Sequence, residues 1–244
     1  MSERDSNWVQ DLTWRAVETA LAAGALALLP IGAAAKEHGL HLPHGTDYLQ
    51  AVHYAERLAA ARDALIWPVV SYGYYPVFTD YPGSISLKAE TFATLVGEIL
   101  DGIVEAGATR IAILNTGIST IAPLSTLLTS HTAGARTRLV NCYDGPAFRA
   151  AVAAHGEQAF GGHADEIETS LMLALAAPRV DMSAAVPQRV HIARGRFNRR
   201  EPTAPNYSPA GVNGDPTRAT PAKGAALLTA LMQDLLAAVS DDVG

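Results

Sequence analysis

The sequence predicts an α/β fold built on a mainly parallel sheet with helices on both faces. Two observations carry this. Short continuous apolar runs end in turn residues, the pattern of strands buried on both faces. Between them lie segments of ten to twenty residues with helical spacing, as βαβ units require.

Taken in order, residues 12–23 read as a helix with Thr13 near its start, and residues 25–31 as the first buried strand, closed by Gly32. Residues 46–64 are alanine-rich with helical spacing, and residues 65–70 form the second strand. Residues 71–86 are a Tyr/Gly/Pro loop. Residues 87–106 are an amphipathic helix stopped by Gly107. Residues 111–114 and 138–142 are the third and fourth strands, with a helix over 123–133 between them. Helices follow at 147–155 and 166–176, then a loop-rich stretch after Pro178, then a final helix over 221–239. No repeat or linker interrupts the chain, so residues 1–244 are expected to form one domain.

The net charge of −6 gives no footing for nucleic acid or an acidic membrane as partner. Arg194, Arg196, Arg199 and Arg200 form the one basic cluster, read as a solvated loop or a subunit contact. The single cysteine, Cys142, cannot form an internal disulfide and is read as a buried strand-end residue. Residues 1–11 are polar and acidic, unlike a signal peptide. The apolar stretch 20–35 is broken by Gly24, Pro30 and Gly32 and is too short to span a bilayer. The expected location is therefore the cytoplasm.

In parallel sheets, sites form at the carboxyl ends of strands. Just beyond the first strand, residues 36–47 hold Lys36, Glu37, His38, His41, His44 and Asp47. Imidazole and carboxylate are ligands for Zn, Mn or Fe. Gly39, Pro43 and Gly45 let the loop turn sharply, and Asp47 falls in the first turn of a helix, where a carboxylate is favoured. A second cluster, residues 161–170, sets two glycines and His163 ahead of Glu166 and Glu168. An ordinary acidic helix start would look similar. In the aromatic loop, Tyr72, Tyr74, Tyr75, Phe78 and Tyr81 suit a substrate lid or a subunit contact. No phosphate-binding loop and no Gly-x-Ser-x-Gly elbow is present.

The run Leu29-Pro30-Ile31-Gly32-Ala33, leading to His38-Gly39-Leu40-His41-Leu42-Pro43 and Gly45-Thr46-Asp47, resembles the creatininase (creatinine amidohydrolase) family. So do Gly162-His163-Ala164, Glu168-Thr169-Ser170 and the late stretch from Gly211 to Pro216. The resemblance implies a three-layer α/β/α sandwich, a divalent metal site often holding two ions, hydrolysis of C–N bonds in a small-molecule substrate, and a homo-oligomer, commonly a hexamer. It also implies that His38 and Asp47 are metal ligands, and that His163 and Glu168 serve catalysis.

Three expected ligands are missing. Lys36 stands where the family has a glutamate, and Glu37 is one residue out of register. Ile118 and Thr120 stand where a histidine and a glutamate are expected. Three readings follow: Lys36 supplies the charge of one metal; a single ion is held by His38, Asp47 and either Glu37 or His163; or no metal binds. The candidates are then Lys36, His163 and Glu168 for catalysis, His38, Asp47 and Glu37 for metal, and Tyr72, Tyr74, Tyr81 and Thr120 for substrate contact. The expected activity is metal-assisted hydrolysis of an amide, cyclic amide or amidine. The alternatives are a binding protein that keeps the pocket, and a lyase or isomerase using the Lys36 amine.

Overall fold

A computed structural model describes residues 6–131, 134–188, 190–192 and 195–240. The principal elements run α1 (Trp14–Ala22), β1 (Leu26–Ile31), α2 (Thr46–Ala61), β2 (Ala64–Ile66), α3 (Ala89–Glu105), β3 (Arg110–Asn115), α4 (Ile121–Ser130), β4 (Arg136–Asn141), α5 (Pro146–His155), α6 (Glu166–Ala176) and α7 (Pro221–Ala238). The strands form one parallel sheet in the order β2-β1-β3-β4.

Alternation along the strands makes two cores. Leu28, Ile66, Leu114 and Val140 face one side, where they pack with Tyr54 and Leu58 of α2, Phe148 of α5, Leu171 of α6 and Leu231 of α7. Leu29, Leu65, Ile111 and Ile113 face the other, against Leu21 of α1, Phe92, Val96 and Leu100 of α3 and Leu124 of α4. Three layers result, as the sequence implied.

The boundaries differ where local chemistry intervenes. The second strand ends at Ile66 instead of continuing to Val70. Pro68 has no N–H to give, so regular pairing stops, and contact with β1 resumes only at the isolated bridge of Val70 to Ile31. The helix expected over 123–133 is α4, which begins two residues earlier and ends at Ser130; Ala133 lies outside the described residues. Cys142 follows β4 and is 1% exposed, and burial pushes its thiol well up.

The carboxyl end of β1 is where the fold presses closest. A Cβ on Gly32 would stand 2.4 Å from the backbone oxygen of Asp47 and 2.8 Å from Cβ of Ala51. Only a glycine lets the first turn of α2 lie against the strand. Tyr48 then donates its N–H to the Ala33 carbonyl at 3.1 Å, which fixes Asp47 above the strand end. Gly32→Ala should cost about 1–3 kcal/mol through overpacking and move Asp47 off its partners. The urea midpoint at unchanged m-value reads the first effect.

Candidate active site

Five chain segments meet above the carboxyl ends of β1 and β3: the loop 32–45, the start of α2, the turn 75–78, the loop entering α6, and the late residues 192 and 195–213. Together they enclose a cavity of about 800 Å³, lined by Lys36, Asp47, His163 and Glu168 among polar groups and by Phe78 and Phe197 among apolar ones.

The Lys36 ammonium lies 2.6 Å from Oδ2 of Asp47, with both side chains under 8% exposed. It also sits 5.0 Å from the Phe78 ring centre and 5.7 Å from that of Tyr75. Burial opposes the Asp47 charge, but Lys36 and His38 more than offset it and hold the carboxyl well below its usual range.

His38 is fully buried. Its Nδ1 lies 2.9 Å from the Lys36 carbonyl oxygen. A carbonyl only accepts, so Nδ1 carries the proton. Nε2 therefore turns a lone pair, or a second proton, toward Oδ1 of Asp47 at 3.0 Å and Oε1 of Glu168 at 3.6 Å. His163 is arranged in the same way. Its Nε2 contacts Oε1 of Glu37 at 2.7 Å and the Glu37 carbonyl at 3.0 Å, while Nδ1 faces Oε2 of Glu168 at 3.8 Å. Burial pushes the His163 imidazole down, but Glu37, through charge and hydrogen bond, and then Glu168 bring it net above its ordinary value.

The helix start of α6 delivers Glu168. Asp165 caps it, its Oδ1 accepting from the N–H groups of Ile167 and Glu168. The Ala164 N–H donates to Oε2 of Glu168 at 2.7 Å. Buried Glu166 anchors the turn, accepting from the N–H groups of Glu157 and Gln158 and from Lys223 Nζ at 2.5 Å. His41 adds a brace: its Nε2 meets Thr169 Oγ1 at 2.8 Å, and burial lowers its imidazole to about 4, leaving it neutral.

Ligand atoms of His38, His163 and Glu168 all lie within 4.8 Å of one another. Each imidazole is tied on one nitrogen and turns the other to a carboxylate, the outer-shell pattern of metal-bound histidine. The carboxylates of Glu37, Asp47 and Glu168 gather around these imidazoles, with the Lys36 ammonium against Asp47. This donor set fits a divalent ion of the Zn, Mn or Fe class.

The structure brings Lys36, Glu37, His38, Asp47, His163 and Glu168 together. Glu37 departs from its expected part: Oε2 accepts the Gly39 N–H at 2.9 Å and Oε1 is spent on His163, so it stands behind that histidine. The four residues expected to touch substrate lie elsewhere. Tyr72 is 51% exposed on the outer surface, and Tyr74 packs into the core beside α3. Tyr81 is buried with its hydroxyl on the Ser208 carbonyl at 2.5 Å. Thr120 is fully buried, its hydroxyl turned back to Oδ1 of Asn115 and the Gly117 carbonyl. None of these four lines the cavity. Its walls are Tyr75, Phe78, Tyr143, Ile192 and Phe197 instead, with Phe78 centred 4.2 Å from the His163 ring. Tyr75 and Phe78 were legible as loop aromatics. Ile192 and Phe197, over a hundred residues downstream, carried no sequence signal. Nor did the role of Gly211, where a Cβ would stand 1.8 Å from Oε2 of Glu37.

Arg196, Arg199 and Arg200 gather around Asp80, away from this site; Arg194 lies outside the described residues. Among the described residues, no helix is long and apolar enough to cross a membrane.

Comparison with known proteins agrees with the geometry. Residues 10–239 match the creatininase family model, described as creatinine amidohydrolase. A creatinine amidohydrolase of Pseudomonas putida is 32% identical over 116 residues, 45% of this chain and 44% of that protein, so the match spans less than half of the relative's length. The fold superposes on a crystal structure of creatinine amidohydrolase with a TM-score of 0.80 at 25% identity, covering 97% of each chain. A creatininase variant of zinc–zinc type also scores 0.80 at 25% identity, over 97% of this chain and 98% of that one. With nearly its whole length matched, this chain belongs to the creatininase family.

Proposed function

We propose that the chain hydrolyses a C–N bond of a small molecule, an amide, cyclic amide or amidine, with one divalent ion held by His38, His163 and Glu168. The observation that carries this is the shared arrangement of the two histidines, each anchored outward on one nitrogen and facing Glu168 with the other.

When bound, such an ion polarises a carbonyl and lowers the pKa of water. The chain supplies the rest. Glu37 fixes the tautomer and orientation of His163, and the Lys36 carbonyl does the same for His38. The Lys36 ammonium spends one N–H on Asp47 and keeps others for the cavity it lines, where they can take up charge developing on a carbonyl oxygen. Asp47 holds that ammonium in place and engages its nitrogen, which favours an electrostatic role over imine chemistry. Tyr75, Phe78 and Phe197 exclude water and present flat apolar faces to the body of the substrate.

Metal analysis of protein purified without added metal, with assays on a panel of amides and cyclic amides, tests this reading. About one ion per chain is expected, with hydrolysis lost on chelation and restored by metal. No metal, or hydrolysis indifferent to chelation, overturns it. The raised His163 imidazole favours a second reading, in which His163 is a proton donor. His163→Ala separates the two: a ligand role predicts loss of bound metal and turnover together, a donor role loss of turnover at full metal content.

A further inference from the structure

We infer that Lys36 is a built-in cation occupying the place of a second metal ion, so that the site closes at one divalent ion per chain. The inference rests on the proposed metal site and concerns the opposite side of Asp47. That carboxylate is divided between two partners. Oδ1 turns to His38 at 3.0 Å, beside the cluster that fits an ion. Oδ2 turns to the Lys36 ammonium at 2.6 Å. With an ion in that cluster, Asp47 would stand between two cations, one of them supplied by the chain itself.

The surroundings of Lys36 suit an ammonium and exclude a further ion. Its nitrogen is walled by the rings of Phe78 at 5.0 Å and Tyr75 at 5.7 Å, faces that favour an organic cation and offer a transition metal no ligand. The two side chains expected to complete a second ligand set do not serve it here. Ile118 lines the cavity with an aliphatic side chain, and the Thr120 hydroxyl is committed to Asn115 and Gly117. A divalent ion bound to Oδ2 would have to sit within a few ångströms of a buried ammonium, where little solvent screens the repulsion.

The charge count agrees. Glu37, Asp47 and Glu168 are balanced by Lys36 and a single divalent ion. A second ion would add positive charge, and the nearby Asp165 carboxylate is already committed to capping α6.

The test is Mn²⁺ stoichiometry, measured by equilibrium dialysis and by electron paramagnetic resonance, so the readout does not depend on knowing the substrate. Wild type should bind one Mn²⁺ and give the spectrum of an isolated ion. Lys36→Glu should double the bound metal, with the second ion coupling magnetically to the first. Lys36→Gln removes the charge at nearly constant size, guarding against a Lys36→Glu chain that fails to fold, and should admit a second, weaker Mn²⁺. Two ions in wild type would overturn the inference. So would one ion in every folded variant, which leaves the metal-site reading intact. No ion in wild type would overturn that reading and the inference with it.

Discussion

Asp47→Asn should cost the metal-free protein about 3–5 kcal/mol of stability, the usual penalty for removing one partner of a buried ion pair. Lys36 is only 6% exposed, and Asp47 is its one salt-bridge partner among the described residues. Asparagine keeps the shape and removes the charge, so the ammonium stays buried without compensation. That is a large share of the roughly 5–15 kcal/mol that holds a domain together. The same substitution takes from His38 an oxygen at 3.0 Å, so the loop 36–47 should loosen with it. Urea denaturation reads the loss. Lys36→Met combined with Asp47→Leu should recover most of it, because the double change removes both charges and retains apolar volume. The pH dependence fixes the cause. Asp47 titrates in the folded chain well below its ordinary 3.8, so its contribution is complete above about pH 4 and fades as acid protonates the folded carboxyl. The deficit of Asp47→Asn should therefore be constant from pH 8 to 5 and shrink in stronger acid. A deficit that grows on acidification would assign the loss to another group.

The fold was legible because β1, β3 and the long helices state their burial in their own composition. The six residues of β1 are apolar and all buried, and α6 begins at Glu166, where its charged first turn announces it. The site was legible to the extent that its parts lie close in sequence: Lys36, His38 and Asp47 share one loop and one helix start. What the sequence withheld is direction. Glu37 and His38 are neighbours, yet one carboxylate turns to His163, 126 residues away, and the adjacent imidazole turns to Asp47. The tyrosines show the same limit. Residues 71–86 advertise an aromatic loop, but composition does not say which ring enters the cavity. Tyr75 and Phe78 enter it because Tyr75 is pinned by Ser86 Oγ at 2.9 Å and the next three residues form a short 3-10 turn. Tyr72, three residues earlier, projects into solvent. Such outcomes depend on contacts between segments that local pattern does not encode.

Glu168→Gln should abolish metal retention and reduce turnover more than about 100-fold, beyond what loss of an outer-shell partner gives. Glu168 links the two histidines, with Oε1 3.6 Å from His38 and Oε2 3.8 Å from His163. Glutamine fills the same space and can still accept the Ala164 N–H through its amide oxygen, so the first turn of α6 should survive. Asp165 and Glu166 hold that turn independently, and the melting temperature should change little. Charge is the change that remains: the amide is a weak ligand, and its NH₂ would point a donor at one imidazole. The same variant tests the other role open to Glu168, as proton acceptor for the attacking water. In that case bound metal stays at one per chain while turnover alone falls. Elemental analysis beside a steady-state rate separates the two. Loss of metal and rate together assigns Glu168 to the ion, and loss of rate alone moves it to proton transfer, leaving His38, His163 and Asp47 as the residues around the cation.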